Sequence, residues 1–315
     1  MLDMYPVQVR LLLLIMAASL LQSASAQDPP PIIDAHMHAA STGSRATDGT
    51  FNPIPCMPAG CEVRPTLVKS VADLKRLVFE AMDRNNIVMA VLSGAGSMDT
   101  VYEWAEARPN SFLSGYGVFD PVSADTAYLR EEFEAGRLHV IGEIAAQYMG
   151  YAADEPELEP LFELAESLDL PVLIHTAGTG APPSLFRISD GHPERLQEVL
   201  ESHPDLRLWL ENAAYPFLEE VIALMYRYPK VYADVSTIGW VIPQAEFWRY
   251  LEALMTAGLG KRIMWGSDQS SWPGAIEISL ASIQDAPFLT EEQKRDILYN
   301  NAVEFFQLEL PHFNE

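Results

Sequence analysis

From residue 31 onward, short apolar or β-branched runs alternate with longer stretches whose apolar residues recur at helical spacing. The runs are PIIDAHMH, NIVMAVLSG, SFLSGYGVFD, LHVIGEI, PVLIHT, LRLWLEN, KVYADVS and RIMWGSD, eight in all. Between them lie segments such as LVKSVADLKRLVFEAMDRN, DEPELEPLFELAESLD and QAEFWRYLEALMTAGLG, and several helix-like stretches close on Gly or Pro. Strands that alternate with helices are parallel, and near-continuous apolar strands are buried on both faces. The pattern predicts an α/β chain folded as a single (β/α)8 TIM barrel. An open doubly wound sheet would place a Gly-rich phosphate turn after its first strand, whereas this first strand ends in HMH. Residues 39–65, rich in Pro, Gly, Ser and Thr, then form a long loop after strand 1, over the mouth where lids and specificity elements sit. No internal repeat or linker divides the chain.

The first residues stand apart from that pattern. Arg10 precedes LLLLIMAASLL and then SASAQ, which predicts a secretory signal over 1–26 cleaved after Ala24-Ser25-Ala26. The apolar run is short of the ~20 residues that a spanning helix needs. The barrel domain is therefore expected to occupy 27–315, in the periplasm or secreted, with no stable membrane insertion after signal removal. The net charge of −24 survives that cleavage because Asp3 and Arg10 cancel. So acidic a surface repels phosphate backbones, which argues against nucleic acid as a partner and for a small-molecule substrate. A homo-oligomer is compatible with the composition. Cys56 and Cys61, the two cysteines, lie in PCMPAGC, and in an oxidising compartment the expected arrangement is a local disulfide. A two-cysteine zinc site is the sharper alternative, but no histidine or further cysteine lies nearby.

Alternate residues of a strand share a face, so His36 and His38 lie on one side, roughly 7 Å apart at a rise of ~3.3 Å per residue. A His-x-His pair alone is as consistent with hydrogen-bonded imidazoles as with metal ligands. Other strands end in the same kind of residue: Glu143 in IGEI, His175 in VLIHT and Asp268 in MWGSD. An isolated buried carboxylate costs several kcal/mol unless paired or metal-bound. In a parallel barrel these strand ends reach one face, so His36, His38, Glu143, His175 and Asp268 are expected to share a divalent cation. Nitrogen and carboxylate donors without thiolate suit Zn, with Mn, Fe and Co as alternatives. Asp34 shares the face of the histidines and is a candidate to orient one of them. His139, His192, His203 and His312 read as surface or structural.

The strings IIDAHMH, IGEI, PVLIHT, RIMWGSD and LTEEQKRDILYNNAVEFFQL, in that order, make the chain resemble the amidohydrolase superfamily, and within it the amidohydrolase-related (amidohydrolase 2) family. The resemblance implies that His36, His38, His175 and Asp268 are metal ligands. Glu143 stands where other branches place a bridging carboxylate, so one ion is expected and a second is left open. The family's strand-6 histidine is replaced in LRLWLENAAYP by Asn212, with Glu211 beside it. Asn212 is then a candidate to hydrogen-bond a substrate carbonyl, and Glu211 a candidate ligand or base.

A Lewis-acidic ion lowers the pKa of its water from 15.7 to about 7, and Asp268 would serve as both ligand and base. The resemblance implies hydrolysis of a small amide, cyclic amide, lactone or ester. Decarboxylation on the same fold and a non-catalytic binding protein are the alternatives. Tyr148, Trp240 and Trp272 in the strand-end loops are candidates to line the substrate pocket or to pack against neighbours. Arg187, after strand 5, would receive a substrate carboxylate or stay solvated.

Overall fold

The structure, a computed structural model, describes residues 29–39, 68, 70–95, 98–176 and 185–311. The expected signal segment 1–26, the loop bearing Cys56 and Cys61, and His312 lie outside the described residues. The chain divides into units Met1–Pro30 and Pro31–Glu315, and every described element belongs to the second.

Eight parallel strands follow one another around the barrel in chain order. They are β1 (Ile32–Ala39), β2 (Ile87–Ala95), β3 (Phe112–Val118), β4 (Val140–Ile144), β5 (Val172–Ile174), β6 (Leu208–Leu210), β7 (Val231–Asp234) and β8 (Ile263–Met264). The sheet closes where the Ala35 N–H donates to the Trp265 carbonyl at 3.0 Å and the Asp268 N–H to the His36 carbonyl at 2.7 Å. The architecture is the (β/α)8 barrel that the alternation predicts. Strand 8 is shorter than the run RIMWGSD suggests: it ends at Met264, and by Asp268, at φ 41°, the backbone has left extended geometry.

Helices follow from local chemistry. The helix α1 (Val71–Arg84) begins at Ser70, whose hydroxyl accepts the Asp73 N–H, and it buries Leu74, Val78, Ala81 and Met82 on one stripe against the strands. The core has two layers. The larger lies between helices and strands. The smaller takes Ile33, Ala35, Val91, Val140, Leu173, Trp209 and Met264 from the strands and closes on Val303, Phe305 and Phe306 of the C-terminal segment. Such an inner layer makes a barrel a packed core rather than a pore, so chemistry is confined to its rim. No helix among the described residues is long and apolar enough to cross a membrane.

The non-site histidines have structural partners. His139 Nδ1 accepts the Ser114 N–H at 3.2 Å, His203 sits between Glu159 and Glu166 at 3.1 Å each, and His192 accepts the Glu194 N–H at 3.4 Å. Gly142 on β4 marks a tight strand approach to β5 near the rim. Its φ is 144°, and a Cβ there would lie 2.7 Å from both Cβ and the carbonyl oxygen of Leu173. Gly142→Ala is expected to cost about 3 kcal/mol or more of stability. An unchanged denaturant midpoint would refute that expectation.

Candidate metal centre

The end of β1 is locked by its neighbours before any ligand question arises. Asp34 Oδ1 accepts the His36 N–H at 3.0 Å and the Ser267 N–H at 2.9 Å. The Gln269 carboxamide accepts the His38 N–H at 3.0 Å and donates to the His38 carbonyl at 2.7 Å, copying a strand pairing with one side chain. Gly266 permits this closeness, since a Cβ would stand 2.8 Å from His36 Cβ. The two imidazoles are thereby fixed on one side of the strand, with ring centroids 4.9 Å apart.

Their Nε2 atoms face each other at 3.1 Å. Asp268 Oδ1 lies 2.8 Å from His38 Nε2 and 3.9 Å from His36 Nε2, and Glu143 Oε2 lies 3.6 and 3.8 Å from the same two atoms. Ligand bonds of about 2.0–2.2 Å place neighbouring ligands of one ion roughly 3 Å apart. His36, His38, Glu143 and Asp268 thus gather a compact set of N and O donors. A second grouping adjoins it: His175 Nδ1 is 2.6 Å from Glu211 Oε2 and 3.1 Å from Glu143 Oε1. Glu143 therefore presents one oxygen to each half. Among the described residues, three clusters satisfy the spacing of a metal site, His36–His38–Glu143, His36–Glu211–Asp268 and Glu143–His175–Glu211.

The electrostatics fit a cation. Burial works against a charged His36, yet Asp268, Glu143, Glu211 and Asp234 outweigh it and hold its pKa well above the ordinary value. His175 is raised in the same way, with burial outweighed by Glu211, Tyr148 and Glu143. Burial also works to raise Glu143 and Asp268, but the imidazoles beside them keep both carboxyls below the usual range. Glu211 is pushed well up, by burial and then by repulsion from Glu143, and burial pushes Asp34 to about 7. Without a cation, the charge of this carboxylate cluster is met by the raised pKa values of His36, His175 and Glu211. A divalent ion would replace the protons these groups hold with a stronger, shared positive charge and leave the imidazoles neutral, as ligation requires.

The residues singled out in the sequence fall as follows. His36, His38, Glu143, His175, Glu211 and Asp268 meet at the rim. Asn212 is buried and its carboxamide is engaged within the protein: Nδ2 donates to Glu211 Oε1 at 2.7 Å, while Oδ1 accepts the Ile238 N–H at 3.2 Å. Tyr148 reaches the site, its ring 5.2 Å from the His175 ring and 5.8 Å from Phe186. Trp240 and Trp272 pack on each other at 5.9 Å in the large core, and Trp240 Nε1 donates to the Ser267 carbonyl at 2.9 Å. Arg187 Nε donates to Asp190 at 3.0 Å and its Nη2 to the Gly150 carbonyl at 3.3 Å.

The sequence reading passed over Asp234, Ser236, Thr237, Gln147 and Gln269. Thr237 donates to Asp268 Oδ2, and Gln147 donates to the His175 carbonyl. Asp234 carried the signal that found Glu143, a carboxylate ending an apolar strand in KVYAD. The others carried none, since a polar residue in a loop shows its target only when the strands are assembled.

A family model described as amidohydrolase matches residues 33–308. No curated protein matches the chain. Among solved structures, an uncharacterised TIM-barrel protein from Bordetella bronchiseptica has a TM-score of 0.67 at 21% identity, covering 88% of this chain and 99% of that one. A probable 2-pyrone-4,6-dicarboxylic acid hydrolase from Acinetobacter baumannii, with citric acid bound, has a TM-score of 0.62 at 14% identity, covering 89% and 100%. A 5-carboxyvanillate decarboxylase from Novosphingobium aromaticivorans, complexed with manganese and 4-hydroxy-3-methoxy-5-nitrobenzoic acid, has a TM-score of 0.59 at 15% identity, covering 91% and 99%. At these identities the likeness is one of fold.

Proposed function

Because the chain belongs to the amidohydrolase family, we propose that it is a metal-dependent hydrolase acting on a small, uncharged amide, cyclic amide, lactone or ester. The observation that carries this reading is the charge of the centre. Glu143, Glu211, Asp234 and Asp268 all lie around His36, and among the described residues no Lys or Arg forms a salt bridge with any of the four. Even with Glu211 counted as neutral, since its pKa is pushed well up, three carboxylates against one divalent ion and neutral imidazoles leave the centre net negative. A substrate carboxylate, which decarboxylation needs, would meet repulsion there, whereas a neutral carbonyl would not. Arg187, the one mouth-loop cation considered for that role, is already bound to Asp190 and Gly150.

His36, His38, Glu143 and Asp268 would hold the ion, and zinc suits these donors, with manganese, iron and cobalt able to replace it. When bound, such an ion supplies Lewis acidity, polarising a carbonyl and making hydroxide available near neutral pH. The chain's own groups do the rest. Asp268, kept ionised by the two imidazoles and anchored through Oδ2 by Thr237, accepts the proton of the attacking water and returns it to the leaving nitrogen or oxygen. Gln269 and Asp34 keep His38 and His36 from drifting during that transfer. Tyr148 and Phe186, packed tilted and edge-on against His175, offer an apolar wall to the substrate body.

The test is metal analysis of purified protein together with a panel of lactones, cyclic amides and esters, run beside hydroxylated benzoic acids with carbon dioxide detection. Stoichiometric metal and hydrolysis of a neutral member are expected. Carbon dioxide release from an aryl acid without hydrolysis of any panel member would overturn the reading, as would the absence of metal.

A further inference from the structure

We propose that Asp234 is a positioning residue which, through the Ser236 hydroxyl, fixes the tautomer of His36 and, through Asn212, holds Glu211, so that one carboxylate sets both halves of the metal centre. The inference rests on the reading of His36 as a ligand.

The first branch follows from counting protons. Ser236 has one hydroxyl hydrogen, and three atoms lie within reach of it: Asp234 Oδ1 at 2.6 Å, Asn212 Oδ1 at 3.4 Å and His36 Nδ1 at 3.4 Å. The short contact to the carboxylate takes the proton. Towards His36 the Ser236 oxygen can then only accept, so His36 must carry its hydrogen on Nδ1. That leaves the Nε2 lone pair facing His38 Nε2, 3.1 Å away, where a cation would sit. Asp234 Oδ2, 3.7 Å from His36 Nδ1, adds attraction for the same N–H.

The second branch runs to the other half. Asp234 Oδ1 also accepts the Asn212 N–H at 3.0 Å. Asn212 has φ 57°, in the left-handed region that Asn enters more readily than most residues. With its amide N–H captured and its Oδ1 taken by the Ile238 N–H, the carboxamide has one orientation, and Nδ2 points at Glu211 Oε1. Glu211 Oε2 is thereby left for His175. Asp234 is completely buried and further accepts the Trp209 indole N–H at 3.2 Å and the Ser236 N–H at 3.2 Å. Such a carboxylate is held too firmly to move with substrate, which is what a fixed reference for two ligand groups needs.

The experiment compares Ser236→Ala, Ser236→Thr and Asp234→Asn with the parent chain. It reads the zinc dissociation constant of metal-stripped protein by chelator competition, and thermal unfolding without metal. Ser236→Ala is expected to weaken zinc about tenfold while barely moving the metal-free melting temperature, Ser236→Thr to restore binding, and Asp234→Asn to weaken it by at least as much as Ser236→Ala. A purely structural role would show the reverse, lower melting temperatures with parental zinc affinity, and that result overturns the proposal. Should Asp234→Asn fail to fold, the Ser236 pair decides. A parent chain that binds no zinc, manganese, iron or cobalt would instead overturn the functional reading beneath it, and is told apart by that measurement alone.

Discussion

Asp268→Asn is expected to lower kcat/KM by about three orders of magnitude, within the range that removal of a general acid–base group produces. The substitution keeps the shape of the side chain. An Asn oxygen in place of Oδ1 can still lie beside His38 Nε2, and the other end of the group still meets the Thr237 hydroxyl. What is lost is the ability to take a proton from water and to return it to the leaving group. Metal content is therefore expected to fall less than activity, and that disproportion identifies the base. If Asp268 only balanced the charge of the two imidazoles, activity would fall in step with metal content. The measurement is kcat/KM on a hydrolysed panel substrate beside the metal content of the same preparation, and activity within tenfold of the parent at full metal would refute the assignment.

The barrel was legible because its evidence is repeated: eight apolar runs separated by helical stretches leave few architectures open. The rim residues were legible for a related reason. A His, Glu or Asp that ends a buried strand needs an explanation, and in a parallel barrel all such ends share one face. Glu143, His175 and Asp268 were found that way, and the structure brings them to His36 and His38. Asp234 bears the same mark in KVYAD, yet its meaning lies in its donors, and these come from Trp209 on β6, from Asn212 after it and from Ser236. No spacing along the chain encodes such a convergence. Asn212 illustrates a second limit. Its place after β6 suggested contact with substrate, whereas a left-handed backbone turns its carboxamide onto Glu211 and the Ile238 N–H. Trp240 and Trp272 illustrate a third: aromatic loop residues bury their rings wherever they can, and here they do so against each other.

Glu143→Gln is expected to weaken metal binding by about a hundredfold or more, since even a group that only supports a ligand contributes about ten- to a hundredfold and Glu143 would hold the ion itself. Its two oxygens are divided, Oε2 towards His36 and His38 and Oε1 towards His175 Nδ1 at 3.1 Å. A neutral carboxamide forfeits the charge, and its NH2 group must face one of those two sides. Turned to His36 and His38, it places donor hydrogens where a cation would lie. Turned to His175, it leaves that imidazole to Glu211 alone at 2.6 Å. The lost charge weakens both halves and the NH2 group weakens one of them more, so the residual stoichiometry is informative. A centre built on one ion would lose affinity in a single step, with the occupied fraction still binding one equivalent. A centre in which Glu143 joined two ions would lose one equivalent and keep the other. The third outcome, parental affinity with lowered stability, would mean that Glu143 is only a buried carboxylate satisfied by the imidazoles around it. Calorimetric titration of the metal-stripped variant separates the three.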